Sequence, residues 1–135
     1  MAAARTIVFR YKLIQGRWSP MISAGLRVKQ GWLPVELYVD SGAAYTIVRA
    51  KVADDAGFDY EKGRRVFVQV GDGALIPVFL HDLSIQIGTK RFDAGIGFSA
   101  KLGVPFNLLG RVGVFEHFRI CFHEKRRAVT FQPLR

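Results

Sequence analysis

Apolar and polar side chains alternate along most of this chain, with the period of two that is typical of β-strands. In the stretch 32–39, for example, Val35, Leu37 and Val39 would share one face. Glycine-containing turns separate the alternating runs, and the clearest is the Gly-Asp-Gly sequence at 71–73. The pattern predicts strands over residues 6–14, 21–28, 32–39, 45–48, 65–70, 74–80, 83–87, 91–98, 118–122 and 128–131.

Two short segments depart from this alternation. Val48, Val52 and Ala56 recur at a spacing of four, and Gly57 follows as a helix stop. A second short helix is predicted to run through Phe115. The sequence therefore predicts a mostly β fold, a small barrel or folded sheet with one or two short helices.

The composition narrows the class of protein. The chain has 135 residues and half of them are hydrophobic, which predicts one folded domain rather than a disordered segment. No apolar run is long enough to cross a membrane as a helix, and the first residues lack the pattern of a signal peptide. Cys121 is the only cysteine, so an internal disulfide is impossible and a reducing, cytoplasmic location is favoured.

The charge is strongly basic, at +9, and it is densest in the segment RICFHEKRR at 119–127. Such a patch can attract nucleic acid, acidic peptides or an anionic membrane. It can also be a solvated hairpin turn whose cations protect an edge strand. No nucleic-acid-binding signature accompanies the patch, so we expect the hairpin turn and no nucleic-acid partner.

An ionisable side chain stands at the end of an apolar strand in the stretch VELYVDSGA, residues 35–43. Burying a carboxylate is costly unless it is hydrogen-bonded or paired, so Asp40 is a candidate for chemistry. Alone, Asp40-Ser41-Gly42 is typical of an ordinary turn. Two further features favour a functional role for this triplet. A Gly-Asp-Gly hairpin begins 31 residues after Asp40, and a Leu-Leu-Gly element begins 68 residues after it.

Together these three elements resemble a retroviral-type aspartic protease, a retropepsin of the single-domain kind that is also found in bacteria. The segment YVDSGAAYTIV matches the catalytic loop, VQVGDGALIPV the flap hairpin, and FNLLGR the element behind the active site. Their order and separation agree with the family over residues 20–131, whereas residues 1–16 look like an added strand. The resemblance implies one protease protomer over residues 1–135, folded as a small closed β-barrel that forms a two-fold homodimer.

The resemblance also implies roles for the loop residues. Asp40 would be the catalytic residue, and Ser41 would send its hydroxyl across the two-fold axis to the other chain. Gly42 and Ala43 would complete the loop, with Gly42 leaving room for backbone N–H groups to reach the carboxylate.

The other two elements would enclose this loop from opposite sides. The hairpin tip would be a flap that closes over the substrate and excludes water, and the Leu-Leu-Gly element would form an apolar floor. The flap residues are Gly71, Asp72 and Gly73, and the floor residues are Leu108, Leu109 and Gly110.

The chemistry of peptide hydrolysis agrees with a dimer. Without a metal or a covalent nucleophile, one group must take a proton from water while another gives one to the substrate carbonyl. Two adjacent carboxylates share a proton and serve as base and acid together. The chain has a single Asp-Ser-Gly, so the second carboxylate would be Asp40 of another copy. We therefore expect a homodimer that cleaves extended peptides and needs no cofactor.

Two positions depart from the retroviral pattern. Retroviral members usually carry an acidic residue two positions after the loop glycine, paired with the arginine after the second motif's glycine. Here Arg111 is present but the acidic position is Ala44, so Glu116 is a candidate partner for Arg111. Gly113 lies in the predicted helix, where glycine costs roughly 1 kcal/mol relative to alanine.

Two other kinds of function compete with this interpretation. The chain could be a non-catalytic dimeric β-barrel that binds a partner through its cleft or through the basic C-terminal hairpin. A metal site could use histidines and the cysteine, but their spacing matches no common zinc pattern, so none is expected. The residues in question are His81, His117, Cys121 and His123.

Overall fold

The structure is a computed structural model that describes residues 5–135. Strands make up most of this part of the chain, as the alternation predicts, and one short α-helix, α1 (Ala50–Asp55), follows the sixth strand. Single 3₁₀ turns lie at Tyr60–Lys62 and Phe115–His117. The strands are β1 (Ile7–Arg10), β2 (Lys12–Ile14), β3 (Arg17–Ser19), β4 (Met21–Val28), β5 (Gly31–Val39), β6 (Thr46–Arg49), β7 (Arg64–Gln69), β8 (Leu75–Ile87), β9 (Lys90–Ser99), β10 (Asn107–Leu109), β11 (Phe118–His123) and β12 (Ala128–Pro133).

Six strands close into a barrel in the order β4-β5-β10-β6-β9-β8, and the pairing of β8 with β4 completes the circle. β7 extends from β8 as the free arm of a hairpin. Two neighbouring pairs, β5 with β10 and β6 with β9, are parallel, and the others are antiparallel. The predicted small closed β-barrel is therefore confirmed.

The terminal segments form a second, smaller sheet. β1 pairs with β12, and β12 pairs with β11, in antiparallel register. The predicted strand 6–14 is in fact two strands, because the chain leaves β1 at Tyr11 and then forms the separate β2–β3 hairpin. The first four residues of the predicted added segment lie outside the described residues.

Two apolar clusters fill the fold. The larger one occupies the barrel interior and the inner face of the terminal sheet, with fully buried side chains such as Leu37, Phe98 and Phe131. Burying side chains of this size stabilises the fold by roughly 1.5–3 kcal/mol each. The smaller cluster, centred on Ile47 and Val78, lies beneath the β7–β8 hairpin.

The helix predicted to run through Phe115 is wrong, since only the 3₁₀ turn Phe115–His117 forms there. Gly113 adopts φ +76°, a left-handed conformation that cannot continue an α-helix. Val112 donates its N–H to the Ala44 carbonyl at 2.8 Å, which draws the chain towards the Asp40 loop instead. Over residues 5–135, no helix has the length and apolar character needed to cross a membrane.

Tyr11 connects the basic turn to the body of the protein. Its backbone N–H donates to the Arg127 carbonyl at 2.8 Å, and its hydroxyl donates to Glu124 Oε1 at 2.7 Å. Burial, and then the hydrogen bond to the Glu124 carboxylate, raise the pKa of the Tyr11 hydroxyl above its usual value. The folded protein therefore holds this proton more tightly than the unfolded chain does.

We predict that Tyr11→Phe lowers the free energy of unfolding by roughly 1 kcal/mol near neutral pH, because one hydrogen bond is lost while the ring stays buried. A group with a raised folded-state pKa stabilises the fold below its unfolded pKa, about 10 for tyrosine, and loses that contribution as pH rises further. Urea unfolding of both proteins should therefore show a difference at pH 7 that shrinks above about pH 10. Equal stability at pH 7 would contradict this role for Tyr11.

Candidate active site

Asp40 stands where two parallel strands end side by side. β10 lies between β5 and β6, with Leu109 opposite Val39 and Leu108 opposite both Tyr38 and Ile47. The Asp40 N–H donates to the Leu109 carbonyl at 3.1 Å, so the loop begins directly from this pairing. Two of the three predicted site elements, the Asp40 loop and the Leu-Leu-Gly element, are brought together here.

The buried side chain of Asn107 holds this arrangement at the start of β10. Its Oδ1 accepts the Arg49 N–H at 2.8 Å, and its Nδ2 donates to the Glu36 carbonyl at 2.8 Å. One amide therefore connects β10 to both of its neighbours. Sequence reasoning missed Asn107, because the partners lie far from it along the chain.

The loop after β5 bends around the Asp40 side chain. The Gly42 N–H donates to Asp40 Oδ1 at 2.9 Å, and the Ala43 N–H donates to the Asp40 carbonyl at 3.1 Å. Although Asp40 follows an apolar strand, its side chain is only half-buried, and Ser41 is exposed. Part of the Asp40 side chain is therefore accessible to solvent.

A second loop, after β10, supports the first one. The Arg111 N–H donates to the Ala43 carbonyl at 3.0 Å. The Gly110 N–H donates to the hydroxyl of fully buried Thr46 at 3.0 Å. Thr46 is a supporting residue that sequence reasoning missed, and its only signal is a hydroxyl within the apolar run YTIV.

Gly110 has no room for a side chain. A Cβ built there would overlap the Tyr45 carbonyl group and lie 2.8 Å from the Tyr45 nitrogen. Both contacts are with backbone, so the two loops would have to separate to accept any larger residue. The glycine in the Leu-Leu-Gly element therefore sets the close approach of the two loops.

The two leucines of that element face opposite sides of the sheet. Leu109 is fully buried in the barrel core, whereas Leu108 is half-buried and packs against the smaller cluster beneath the β7–β8 hairpin. The two leucines therefore do not form one floor beneath the loop. Leu109 belongs to the barrel core, and Leu108 belongs to the cluster on the hairpin side.

The β7–β8 hairpin projects beyond the barrel. Its turn is closed by the Gly73 N–H, which donates to the Val70 carbonyl at 2.8 Å, while the Asp72 carboxylate accepts the Ala74 N–H at 2.9 Å. Gly73 has φ +86°, which favours glycine. The tip from Gly71 to Leu75 is exposed, so core packing does not hold it in place.

The inner face of the hairpin is apolar and joins the smaller cluster. This cluster combines side chains from the hairpin, from β6 and β10, and from the segment 100–106. An apolar wall therefore extends from beneath the hairpin to the strand beside Asp40. Its buried members are Ile47, Ile76, Val78 and Leu102, and its half-buried members are Val66, Val68, Val70, Leu80, Val104 and Leu108.

The suggested pairing of Arg111 with Glu116 is wrong. Glu116 Oε1 accepts the Gly113 N–H at 3.1 Å, so it caps its own turn, and Arg111 is exposed. Within residues 5–135 the ion pairs are those of Lys12 with Glu36, Lys51 with Asp55 and Lys62 with Asp59.

The histidines make separate contacts. His81 donates from Nε2 to the Tyr60 carbonyl at 2.6 Å, and His117 stacks on Phe92 with ring centroids 4.3 Å apart. The described residues bring together no group of three or more His, Cys, Asp or Glu side chains that could hold a metal ion.

Comparison with solved structures identifies the fold. A retropepsin-like aspartic protease from Rickettsia conorii superposes with a TM-score of 0.69 and 19% identity, over 93% of this chain and 98% of that one. The EIAV protease, complexed with an inhibitor, gives a TM-score of 0.52 and 16% identity over 73% and 86% of the two chains. No family model and no curated protein sequence matches the chain. The chain therefore has a retropepsin-like fold, the fold of these aspartic proteases.

We predict that Gly110→Ala destabilises the protein by roughly 1–3 kcal/mol, because the new methyl group collides with the Tyr45 backbone. Gly95→Ala is the matched control, since a Cβ at Gly95 would have nothing within 4 Å. Urea unfolding of the two variants measures the difference. Equal stability would mean that the two loops tolerate separation, contrary to the packing described here.

Proposed function

We propose that this chain is an aspartic endopeptidase that acts as a homodimer, with one Asp40 from each chain. The observation that carries the proposal is the position of Asp40, which follows β5, is half-buried, and accepts the Gly42 N–H through Oδ1. The retropepsin-like fold supports the proposal, because the similar solved structures are aspartic proteases.

The proposed chemistry requires both carboxylates. One Asp40, without its proton, takes a proton from the water that attacks the scissile carbonyl carbon. The other, protonated, donates to the carbonyl oxygen as the tetrahedral intermediate forms. When the C–N bond breaks, the Asp40 that took the proton from water gives it to the leaving amine, and the other Asp40 takes a proton back from a hydroxyl of the intermediate, which restores the shared proton. A single chain has one such Asp and cannot perform both roles.

The surface around the two loops has the character of an interface. Val112 is 55% exposed and Tyr45 is 36% exposed, and both belong to the hydrogen-bonded loops beside Asp40. Apolar side chains left exposed in this way favour burial against another protein surface. A second copy placed on a two-fold axis beside Asp40 would cover them and would pair the carboxylates.

The substrate would be an extended peptide with apolar residues beside the cleaved bond. The half-buried side chains of the apolar wall, among them Val68, Val70 and Leu108, would contact such a peptide. Aliphatic walls of this kind bind aliphatic and aromatic side chains by removing them from water. The β7–β8 hairpin would close over the peptide and exclude water from the carboxylates.

We predict that Asp40→Asn abolishes cleavage of a random peptide library and leaves the fold intact. Asn is nearly isosteric with Asp, and its Oδ1 can still accept the Gly42 N–H, but it cannot act as the base. Asp82→Asn, at an exposed position on β8, is the matched control and should cleave like the wild type. Mass spectrometry identifies the products, and cleavage near the wild-type rate by Asp40→Asn would exclude the proposed mechanism. Absence of cleavage by the wild type would favour the alternative function, a non-catalytic β-barrel that binds a partner.

A shortened hairpin tests the flap. The variant lacks Gly71 to Gly73 and carries the substitutions Val70→Asn and Ala74→Gly. The resulting two-residue Asn-Gly loop can join Gln69 and Leu75, which are paired across the hairpin. Turnover should fall at least about tenfold, since the tip no longer covers the substrate.

The unfolding temperature of the shortened protein should fall only slightly, because residues 71–74 are exposed and Val70 is the one altered residue with a half-buried side chain. Full activity in a stable shortened protein would show that the hairpin is an ordinary turn and not a flap.

A further inference from the structure

The net charge of the chain is concentrated in its terminal segments. Residues 5–19 and 119–135 carry nine Lys and Arg side chains against one Glu, a net charge of +8. Residues 20–118 carry eleven Lys and Arg against ten Asp and Glu, a net charge of +1. A separation of this size is typical of a surface that meets an anionic partner.

The fold brings the two basic segments together. β1 and β12 are paired, and the Tyr11 N–H donates to the Arg127 carbonyl at 2.8 Å. The Arg127 guanidinium lies over the Trp18 ring, 4.5 Å from its centroid, which attaches the β2–β3 hairpin to the basic turn. We call the outer face of the β1–β12–β11 sheet, with this turn and hairpin, the terminal surface.

Exposed apolar side chains lie among these cations. Phe9 and Phe131 point inward to the core, so strand alternation places Val8, Arg10 and Arg119 on the outer face. Val8 is 62% exposed.

Leu13 and Trp18 add to this apolar character on the β2–β3 hairpin. They lie opposite each other across the two strands, and they are 57% and 46% exposed. The basic turn beside them adds Lys125 and Arg126, both exposed. The terminal surface therefore combines cations with aliphatic and indole side chains.

We propose that the terminal surface docks the protein onto an anionic phospholipid bilayer. Anionic headgroups attract Lys and Arg side chains near such a surface, and exposed Leu, Val and Trp side chains enter the interfacial region. Glu124 is the sole acidic residue of these segments. Its carboxylate accepts a hydrogen bond from the Tyr11 hydroxyl, which holds it against Tyr11.

Two other partners fit the surface less well. A second copy placed face to face on the terminal surface would set its cations against the same cations, and like charges placed in contact oppose association. Nucleic acid would match the charge, but it offers nothing to the exposed aliphatic side chains of Val8 and Leu13. One face of the Trp18 ring is covered by Arg127, which limits base stacking.

Vesicle binding tests the proposal. We expect the wild type to sediment with vesicles that contain phosphatidylglycerol, not with pure phosphatidylcholine, and to be released by salt. Lys125→Glu with Arg126→Glu should weaken this binding at least about tenfold. Lys29→Glu with Arg64→Glu, an equal charge change at exposed positions of the barrel segment, is the matched control and should weaken it much less. Equal losses would overturn the proposal, because the attraction would then be one of net charge alone.

Tryptophan fluorescence tests whether the apolar side chains of the terminal surface enter the bilayer. In a Trp32→Phe background, Trp18 is the remaining tryptophan, and its fluorescence should shift to shorter wavelength on anionic vesicles and be quenched by brominated lipid. Leu13→Ser should reduce the affinity for vesicles without changing the circular dichroism spectrum. An unshifted Trp18 spectrum, or binding of oligonucleotides without binding of vesicles, would overturn the proposal. The tests do not use peptide cleavage, so they are independent of the proposed protease activity.

Discussion

The position of Asp40 depends on the pairing of β10 between β5 and β6. Only three residues, Asn107–Leu109, make up β10, yet they pair in parallel with β5 and antiparallel with β6. The Asn107 amide connects both neighbours at one end, and Gly110 permits contact with the Tyr45 backbone at the other. A shift of this strand would move the Asp40 loop, because the Asp40 N–H is bonded to the Leu109 carbonyl.

Two of these residues, Leu108 and Leu109, place their side chains on opposite sides of the sheet. Leu109 belongs to the barrel core, which resists displacement, whereas Leu108 faces the apolar wall beneath the exposed hairpin. Because side chains alternate along the strand, Leu109 anchors β10 in the core beside the Asp40 loop, and Leu108 points to the side of the proposed cleft. This division of roles suits a site in which the carboxylates stay fixed while a flap opens and closes.

Much of the fold follows from local pattern, and the site follows only in part. Period-two alternation predicts most of the strands, and Gly71 to Gly73 lies at the observed hairpin turn. The pairing of β10 depends on contacts between distant parts of the chain, and so do the roles of Thr46 and Asn107, which bond to groups 64, 58 and 71 residues away. No local pattern contains that information. The helix expected around Gly113 is wrong because backbone bonds to the Asp40 loop outweigh helix formation there.

A mixed-chain titration tests the central claim, that Asp40 from two chains forms one site, most directly. A fixed amount of wild-type protein is incubated with increasing amounts of Asp40→Asn chains until subunits have exchanged, and peptide cleavage is then measured. Activity should fall as mixed dimers replace wild-type dimers, since a single carboxyl group cannot be ionised to activate water and protonated to donate at the same time. Cleavage that stays constant as inactive chains are added, with exchange confirmed by differently labelled subunits, would show that each chain works alone and would contradict the shared site.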